Sequence, residues 1–149
     1  MRVLPLLLTI ILTAPGSTIL GQERAADETA IRKSITALEG ALNAHYATGG
    51  ARLFAEDGDQ IVLGSAQYRG RADIERAYRE KRLSIPDGKH IAITVRSIRF
   101  ISPDVALVDV EGHLVEAPSA SKDRAFYVIV RRGGSWQMAA LRVHGPESI

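Results

Sequence analysis

The sequence contains no cysteine in its 149 residues. Disulfide bonds, thiolate catalysis and cysteine-ligated metal sites are therefore excluded, whichever redox compartment the protein occupies. Neither sign of charge is in large excess, because the 19 basic side chains are nearly balanced by 17 acidic ones. Nucleic-acid binding usually needs basic side chains concentrated on one face, so we expect no nucleic-acid partner. The length fits a single domain.

The N-terminus has the pattern of a secretory signal peptide. Arg2 precedes an apolar run, Val3–Leu12, that is shorter than a membrane-spanning helix. A small residue, Gly21, is then followed by a polar and charged segment. This pattern predicts a signal peptide over residues 1–21 and a mature domain over residues 22–149, in the periplasm or secreted, without stable membrane association. An uncleaved anchor helix is the alternative.

Helical patterns dominate the chain up to about residue 82. Apolar residues recur at steps of three and four from Ile31 to Tyr46, which predicts one long amphipathic helix. Asp27 is the expected N-cap, and Gly49-Gly50 is expected to end the helix. The remaining elements expected in this part are a helix over 51–56, a strand over 60–64 and a helix over 71–82.

The rest of the chain alternates between apolar and polar residues and is rich in β-branched side chains. Turn signals divide it into four long strands, expected over 90–101, 104–117, 122–132 and 135–143. Short turns between consecutive strands predict antiparallel pairing. Helices followed by such a series of strands predict an α+β layer architecture, with the long helix against one face of the sheet.

Five segments carry a resemblance to a known superfamily. Three resemble the opening of SnoaL-like, ketosteroid isomerase-like proteins: Ala41–His45, Leu53–Asp57 and Tyr68–Ile74. Two look like the SgcJ/EcaC-type branch: Phe100–Val108 and Val130–Ala140. This nuclear transport factor 2-like superfamily also includes polyketide cyclases. The resemblance implies a cone-shaped α+β barrel, with helices packed in the concave face of a strongly bent antiparallel sheet, and a homodimer formed through that sheet.

The same resemblance argues against the reaction mechanism of the ketosteroid isomerases. It places Leu38 where a ketosteroid isomerase has its oxyanion-hole tyrosine, and Val62 where it has its aspartate base. Neither side chain can donate or accept a proton, whereas carbanion chemistry beside a carbonyl needs both a base and a stabilised oxyanion. The steroid-isomerase mechanism is therefore unsupported.

Three polar residues alternate along the second of the four long strands, namely Asp109, Glu111 and His113. Alternation places them on one face of the sheet. They could act as general acid and base, and Asp109 and His113 are the candidates for that role. Alternatively they are the solvent side of a half-buried strand. We expect no metal site, because the histidines are isolated and no HExxH signature is present.

The last strand and the tyrosines supply further candidates. Without a bulge, Arg142 and His144 share a face with Trp136 and Met138. If that face lines the cone, Arg142 needs an anionic ligand or an internal carboxylate such as Asp109, and is a third catalytic candidate. The alternative is that the strand end meets water. Ligand-binding roles, as opposed to ordinary core packing, are expected for Trp136, Met138 and His144 and for three tyrosines: Tyr46, Tyr68 and Tyr78.

These observations predict an exported protein that binds a small, largely apolar molecule between its helices and its sheet, without a cofactor. A cofactor-independent isomerase, dehydratase or cyclase is the first alternative. A dimeric interaction module whose pocket is filled by side chains is the second. An empty cavity with converging polar atoms would distinguish the first two hypotheses from the third.

Overall fold

The computed structural model describes residues 16–62, 67–80, 85–116 and 122–144, with the side chains of 16–19 excepted. Two helices, two strands and a third helix come first, and four long strands follow. The elements are α1 (Gly16–Asn43), α2 (Ala47–Ala51), β1 (Phe54–Val62), β2 (Gln67–Arg69), α3 (Arg71–Arg79), β3 (Ile91–Ser102), β4 (Val105–Leu114), β5 (Asp123–Arg132) and β6 (Ser135–His144).

The strands form one sheet in the order β2-β1-β6-β5-β4-β3. The four long strands β3 to β6 pair antiparallel with their neighbours in sequence, as expected. Strand β1 adds to β6 in parallel, which the sequence did not indicate, and β2 pairs antiparallel with β1. The sheet is curved and unclosed, with α1 packed against it, so the predicted α+β architecture is confirmed.

Helix α1 supplies the apolar side that meets the concave face of the sheet. Ile31, Ile35 and Leu38 recur at helical spacing and are each 2 % exposed or less. They belong to the same buried cluster as Val108 on β4 and Met138 on β6, so the predicted inner side of the helix is confirmed. Full burial of such a side chain stabilises the fold by about 1.5–3 kcal/mol. Among the described residues, no helix combines the length and apolar character that a membrane crossing requires.

Both expected ends of the long helix are wrong. Helix α1 begins at Gly16, so Asp27 lies inside it and is not an N-cap. Its carboxylate instead accepts hydrogen bonds from Arg131, at 2.9 and 3.1 Å, and from Trp136 Nε1 at 3.0 Å. The helix ends at Asn43, whose amide pairs with the backbone of Ile91 at 2.9 and 2.8 Å. Polar contacts with the sheet therefore set the role of both residues.

The segment after α1 also differs from expectation. The helix expected over 51–56 is wrong, because a short α2 precedes it and β1 begins at Phe54. Met138 of β6 donates its backbone N–H to the carbonyl of Leu53 at 2.9 Å, and Arg71 donates two bonds to the carbonyl of Phe54. The backbone here is thus held by β6 and α3 rather than by helical bonds. Strand β2 was not expected.

The four long strands lie within a few residues of their expected bounds. A glycine pair, Gly133-Gly134, joins β5 to β6 with φ angles of 57° and 78°, as a tight hairpin requires. The expected strand end at residue 64, the helix end at 82 and the strand end at 117 lie outside the described residues.

Substitution of Leu38 tests the central packing contact. Leu38 is 1 % exposed, so Leu38→Ala should reduce the free energy of unfolding by about 2–5 kcal/mol through lost burial and the cavity left behind. The matched control is Ile101→Ala, because Ile101 is 54 % exposed and should change stability by no more than about 0.5 kcal/mol. Urea unfolding of both variants measures the difference, and equal losses would show that α1 does not pack as described.

Candidate functional site

A cavity of about 320 Å³ lies between α1, α3 and the concave face of the sheet. Most of its wall is aliphatic. The side chains on this part of the wall come from both helix and sheet and include Leu38, Leu42, Ile93, Val110, Leu141 and Val143. A largely apolar space with a few polar groups is the usual form of a small-molecule site.

Two buried tyrosines contribute hydroxyl groups to the cavity wall. The hydroxyl of Tyr78 on α3 donates a hydrogen bond to Oε1 of Gln60 on β1 at 3.1 Å, and Gln60 is itself 5 % exposed. Tyr127 on β5 is 3 % exposed and also lines the cavity. Burial raises the pKa of both tyrosines above the usual range, so both phenols stay protonated. They can therefore donate a hydrogen bond, as Tyr78 does to Gln60, but they cannot act as bases.

An acid and a histidine lie on neighbouring strands at the same cavity. Asp123 on β5 pairs in register with Gly112 on β4, next to His113, and all three residues line the cavity. Desolvation raises the pKa of the Asp123 carboxyl. Nδ1 of His113 is buried and has no hydrogen-bond partner in the described part of the chain. Titratable groups in a largely apolar cavity are candidates for ligand recognition or proton transfer.

His113 and Tyr78 are the sequence candidates that the structure places at the cavity. The face expected to unite Asp109, Glu111 and His113 is divided. Asp109 is exposed and accepts a hydrogen bond from Ser97 Oγ at 2.5 Å, while Glu111 binds Arg96 and Lys122 outside the cavity. The cavity reaches the second half of β4, where Val110, Gly112, His113 and Leu114 line it.

A β-bulge moves Arg142 away from its expected face. Val128 pairs with Ala140 but Ile129 pairs with Met138, so Ala139 is an extra residue on β6. Beyond this bulge the alternation is reversed. Leu141, not Arg142, therefore follows Met138 into the core, and the expected face shared by Arg142, Trp136 and Met138 is wrong.

The partner expected for Arg142 is wrong as well. Its guanidinium forms a two-bond ion pair with Asp59 on β1, at 2.9 and 2.8 Å, rather than with Asp109. Such a fork-to-carboxylate pair satisfies the arginine without a ligand. His144, which follows the bulge too, is exposed and stacks on Phe126 with ring centroids 5.5 Å apart. Neither Arg142 nor His144 lines the cavity.

The remaining candidates pack elsewhere. Tyr46 is 55 % exposed, beside α2. Tyr68 is partly buried against the core. Trp136 donates a hydrogen bond to Asp27, inside α1, and Met138 is fully buried. The ligand-binding roles expected of these residues stay predictions, but the described cavity does not include them.

Three polar residues at the cavity were missed in the sequence, namely Gln60, Asp123 and Tyr127. Strict alternation along β5 places Asp123, Ala125 and Tyr127 on one face, so the strand pattern could have revealed two of them. Gln60 had no such signal, because its position depends on the parallel pairing of β1 with β6.

The two positions compared with ketosteroid isomerases do reach this cavity. Leu38 and Val62 both line it, and their aliphatic side chains form part of its apolar wall. At these two positions the cavity wall is therefore apolar and has no group that could donate or accept a proton. In the described residues, no group of three or more histidine, aspartate or glutamate side chains is arranged to hold a metal ion.

Comparison with known proteins identifies the fold. No protein-family model matches the sequence, and no curated protein matches it. Among solved structures, a domain of unknown function from Nostoc punctiforme with a cystatin-like fold has a TM-score of 0.75 and 23% identity, over 83% of this chain and 80% of its own.

Two further similar structures carry names that suggest enzymes. The type 2 hexachlorocyclohexane dehydrochlorinase LinA has a TM-score of 0.72 and 16% identity, over 85% of this chain and 90% of its own. A putative scytalone dehydratase from Novosphingobium aromaticivorans has a TM-score of 0.69 and 16% identity, over 85% and 89%. The chain therefore has the cystatin-like, nuclear transport factor 2-like fold, as the sequence resemblance implied.

Proposed function

We propose that the protein is an exported small-molecule-binding protein that holds a largely apolar molecule in the cavity between α1 and the sheet. The observation that carries this proposal is the cavity itself, with about 320 Å³ of space and a mostly aliphatic wall. Buried hydroxyls of Tyr78 and Tyr127 provide a few polar contacts that could orient a ligand. This space counts against an interaction module whose pocket is filled by side chains.

Binding of an uncharged aromatic probe tests the proposal. Naphthylmethanol should bind the wild-type protein, because its rings match the apolar wall and its hydroxyl can meet the polar groups. Ala125→Leu places a larger side chain on the cavity wall and should weaken binding about tenfold or more. Titration calorimetry measures both affinities.

The matched control for Ala125→Leu is Ala72→Leu, on the exposed side of α3. It should leave the affinity unchanged. If the wild-type protein does not bind naphthylmethanol, or if the two leucine variants bind it equally, the cavity is not the binding site.

Proton transfer within the same cavity is a second candidate function. It is favoured by His113 and Asp123, which line the cavity on neighbouring strands, and by the protonated Tyr127 hydroxyl. A base beside the ligand and a donor to its oxygen are the two groups that abstraction of a proton next to a carbonyl requires. The names of LinA and the putative scytalone dehydratase are consistent with an enzyme on this fold, but similarity of fold alone does not transfer chemistry.

Deuterium incorporation tests this second candidate. In heavy water, the wild-type protein should accelerate exchange at the acidic carbon of beta-tetralone above the buffer rate, as measured by mass spectrometry. Asp123→Asn and His113→Gln should each lower this acceleration about a hundredfold, within the range typical of a lost general base. Arg79→Met, in an exposed ion pair with Glu75, serves as the control. No acceleration by the wild type would leave binding as the function.

Export is the part of the proposal that rests on the N-terminal pattern. Cleavage after Gly21 would leave a mature chain that begins at Gln22, within α1 and ahead of the contact between Asp27 and Arg131. N-terminal sequencing of the protein from the periplasm or medium should therefore begin at or near Gln22. Full-length protein that begins at Met1 and remains in the membrane fraction would contradict export.

We also propose a homodimer formed through the outer face of the sheet. The helices pack against the opposite face, and Leu107, Val128 and Ala140 follow one another across the outer face of β4, β5 and β6. Sedimentation equilibrium should report twice the mature mass, and Val128→Lys should shift the protein to a monomer. Ile101→Lys, at the exposed end of β3, is the control. A wild-type monomer at micromolar concentration would contradict the dimer.

A further inference from the structure

Among the described residues, the cavity wall contains a carboxylate without a matching basic side chain. The carboxylate of Asp123 lies on the cavity wall, and no ion pair or hydrogen bond connects it to a described residue. Desolvation is the sole influence on its pKa, which is raised. A carboxylate of this kind gains from any partner that can donate a hydrogen bond to it.

The nearby basic side chains point to other acids or lie outside the cavity. Lys122 precedes Asp123 in sequence, but its Nζ lies 2.6 Å from Glu111. Arg124 follows Asp123 and lines a different depression, on the outer face of the sheet. Arg142 is held by Asp59. None of the described residues that line the cavity is a lysine or an arginine.

The other ionisable groups of the cavity do not supply a permanent positive charge. The two tyrosines, Tyr78 and Tyr127, stay protonated and neutral because burial raises their pKa. His113 is the remaining ionisable lining residue in the described part of the chain. Asp123 is therefore the one carboxylate facing a ligand in this set.

A ligand's own charge consequently decides how well it fits. An apolar carboxylate would lose its hydration next to Asp123 without any counterion, and the two negative charges would repel each other. An amine or a hydroxyl could instead donate a hydrogen bond to Asp123, with a charge-assisted bond in the case of the amine. The aliphatic wall would hold the apolar part in each case.

Building on the proposed binding function, we infer that the cavity takes apolar molecules that carry an amine or a hydroxyl group, that it rejects apolar carboxylates, and that Asp123 determines this preference. The feature that sets this preference is the Asp123 carboxylate. It lies on an apolar wall whose described residues include no basic side chain.

Three probes with the same rings and different charge test this inference: naphthylmethylamine, naphthylmethanol and naphthoate. At about pH 8 the wild-type protein should bind the amine and the alcohol, and should bind naphthoate about tenfold or more weakly than the amine. Titration calorimetry measures all three affinities. This comparison needs no variant, so it does not depend on the folding of one.

The variant Asp123→Asn identifies the residue responsible. It should reduce the affinity for naphthylmethylamine about tenfold, increase that for naphthoate, and change that for naphthylmethanol less than about threefold. Asp57→Asn is the matched control, because Asp57 is an exposed aspartate paired with Arg132 on the surface. It should leave all three affinities unchanged. Thermal unfolding followed by circular dichroism confirms that both variants are folded.

The outcomes separate this inference from the proposed function. If the wild type binds none of the three probes, both the binding function and the charge preference are wrong. If it binds all three equally, or binds naphthoate best, the cavity binds small molecules but the preference is wrong. If the preference is present and persists in Asp123→Asn, the assignment to Asp123 is wrong. Loss of the preference in Asp123→Asn alone supports the inference.

Discussion

The cavity depends on how α1 is fixed across the concave face of the sheet. Ile31, Ile35 and Leu38 fill the space under the helix with fully buried side chains. Closer to the C-terminal end of the helix, Leu42 is only partly buried and lines the cavity instead. The same apolar side of one helix therefore closes the core at one end and leaves open space at the other.

Two sets of polar contacts hold the helix in this position. Inside the helix, Asp27 accepts hydrogen bonds from Arg131 and Trp136. Towards its C-terminal end, Asn43 pairs with the backbone of Ile91, and the carboxylate of Glu39 accepts the N–H of Ile93 at 2.6 Å. The second set satisfies backbone groups of the edge strand β3, which would otherwise lack partners along that side. The same contacts therefore satisfy the backbone of the edge strand and hold the helix in place.

The sequence predicted those helices and strands whose position depends only on residues that are neighbours in the chain. Alternation located β3 to β6, and helical spacing located the inner side of α1, because each is a property of neighbouring residues. The start of β1 at Phe54 and its parallel pairing with β6 depend on contacts with Met138, far away in sequence. No local pattern in the segment around Phe54 could reveal them.

The candidate site was harder to predict than the fold, and a single bulge explains the error made on β6. Strict alternation along β6 would place Arg142 on the same side as Met138, and this is how the sequence suggested a cationic site. The extra residue Ala139 carries no marker such as glycine or proline, so the reversal could not be read from β6 alone. Along β5 the alternation is unbroken through Asp123 and Tyr127, so that strand could have been interpreted correctly.

The same bulge sets the electrostatics of the cavity. Because the alternation reverses at Ala139, Leu141 and Val143 line the cavity, and Arg142 is on the other side with Asp59. Without the reversal, the guanidinium of Arg142 would be on the same face of the sheet as Asp123, on the neighbouring strand. One inserted residue on β6 thus replaces a basic group by aliphatic surface. Among the described residues, no basic side chain then shares the cavity wall with the carboxylate of Asp123 on the neighbouring strand.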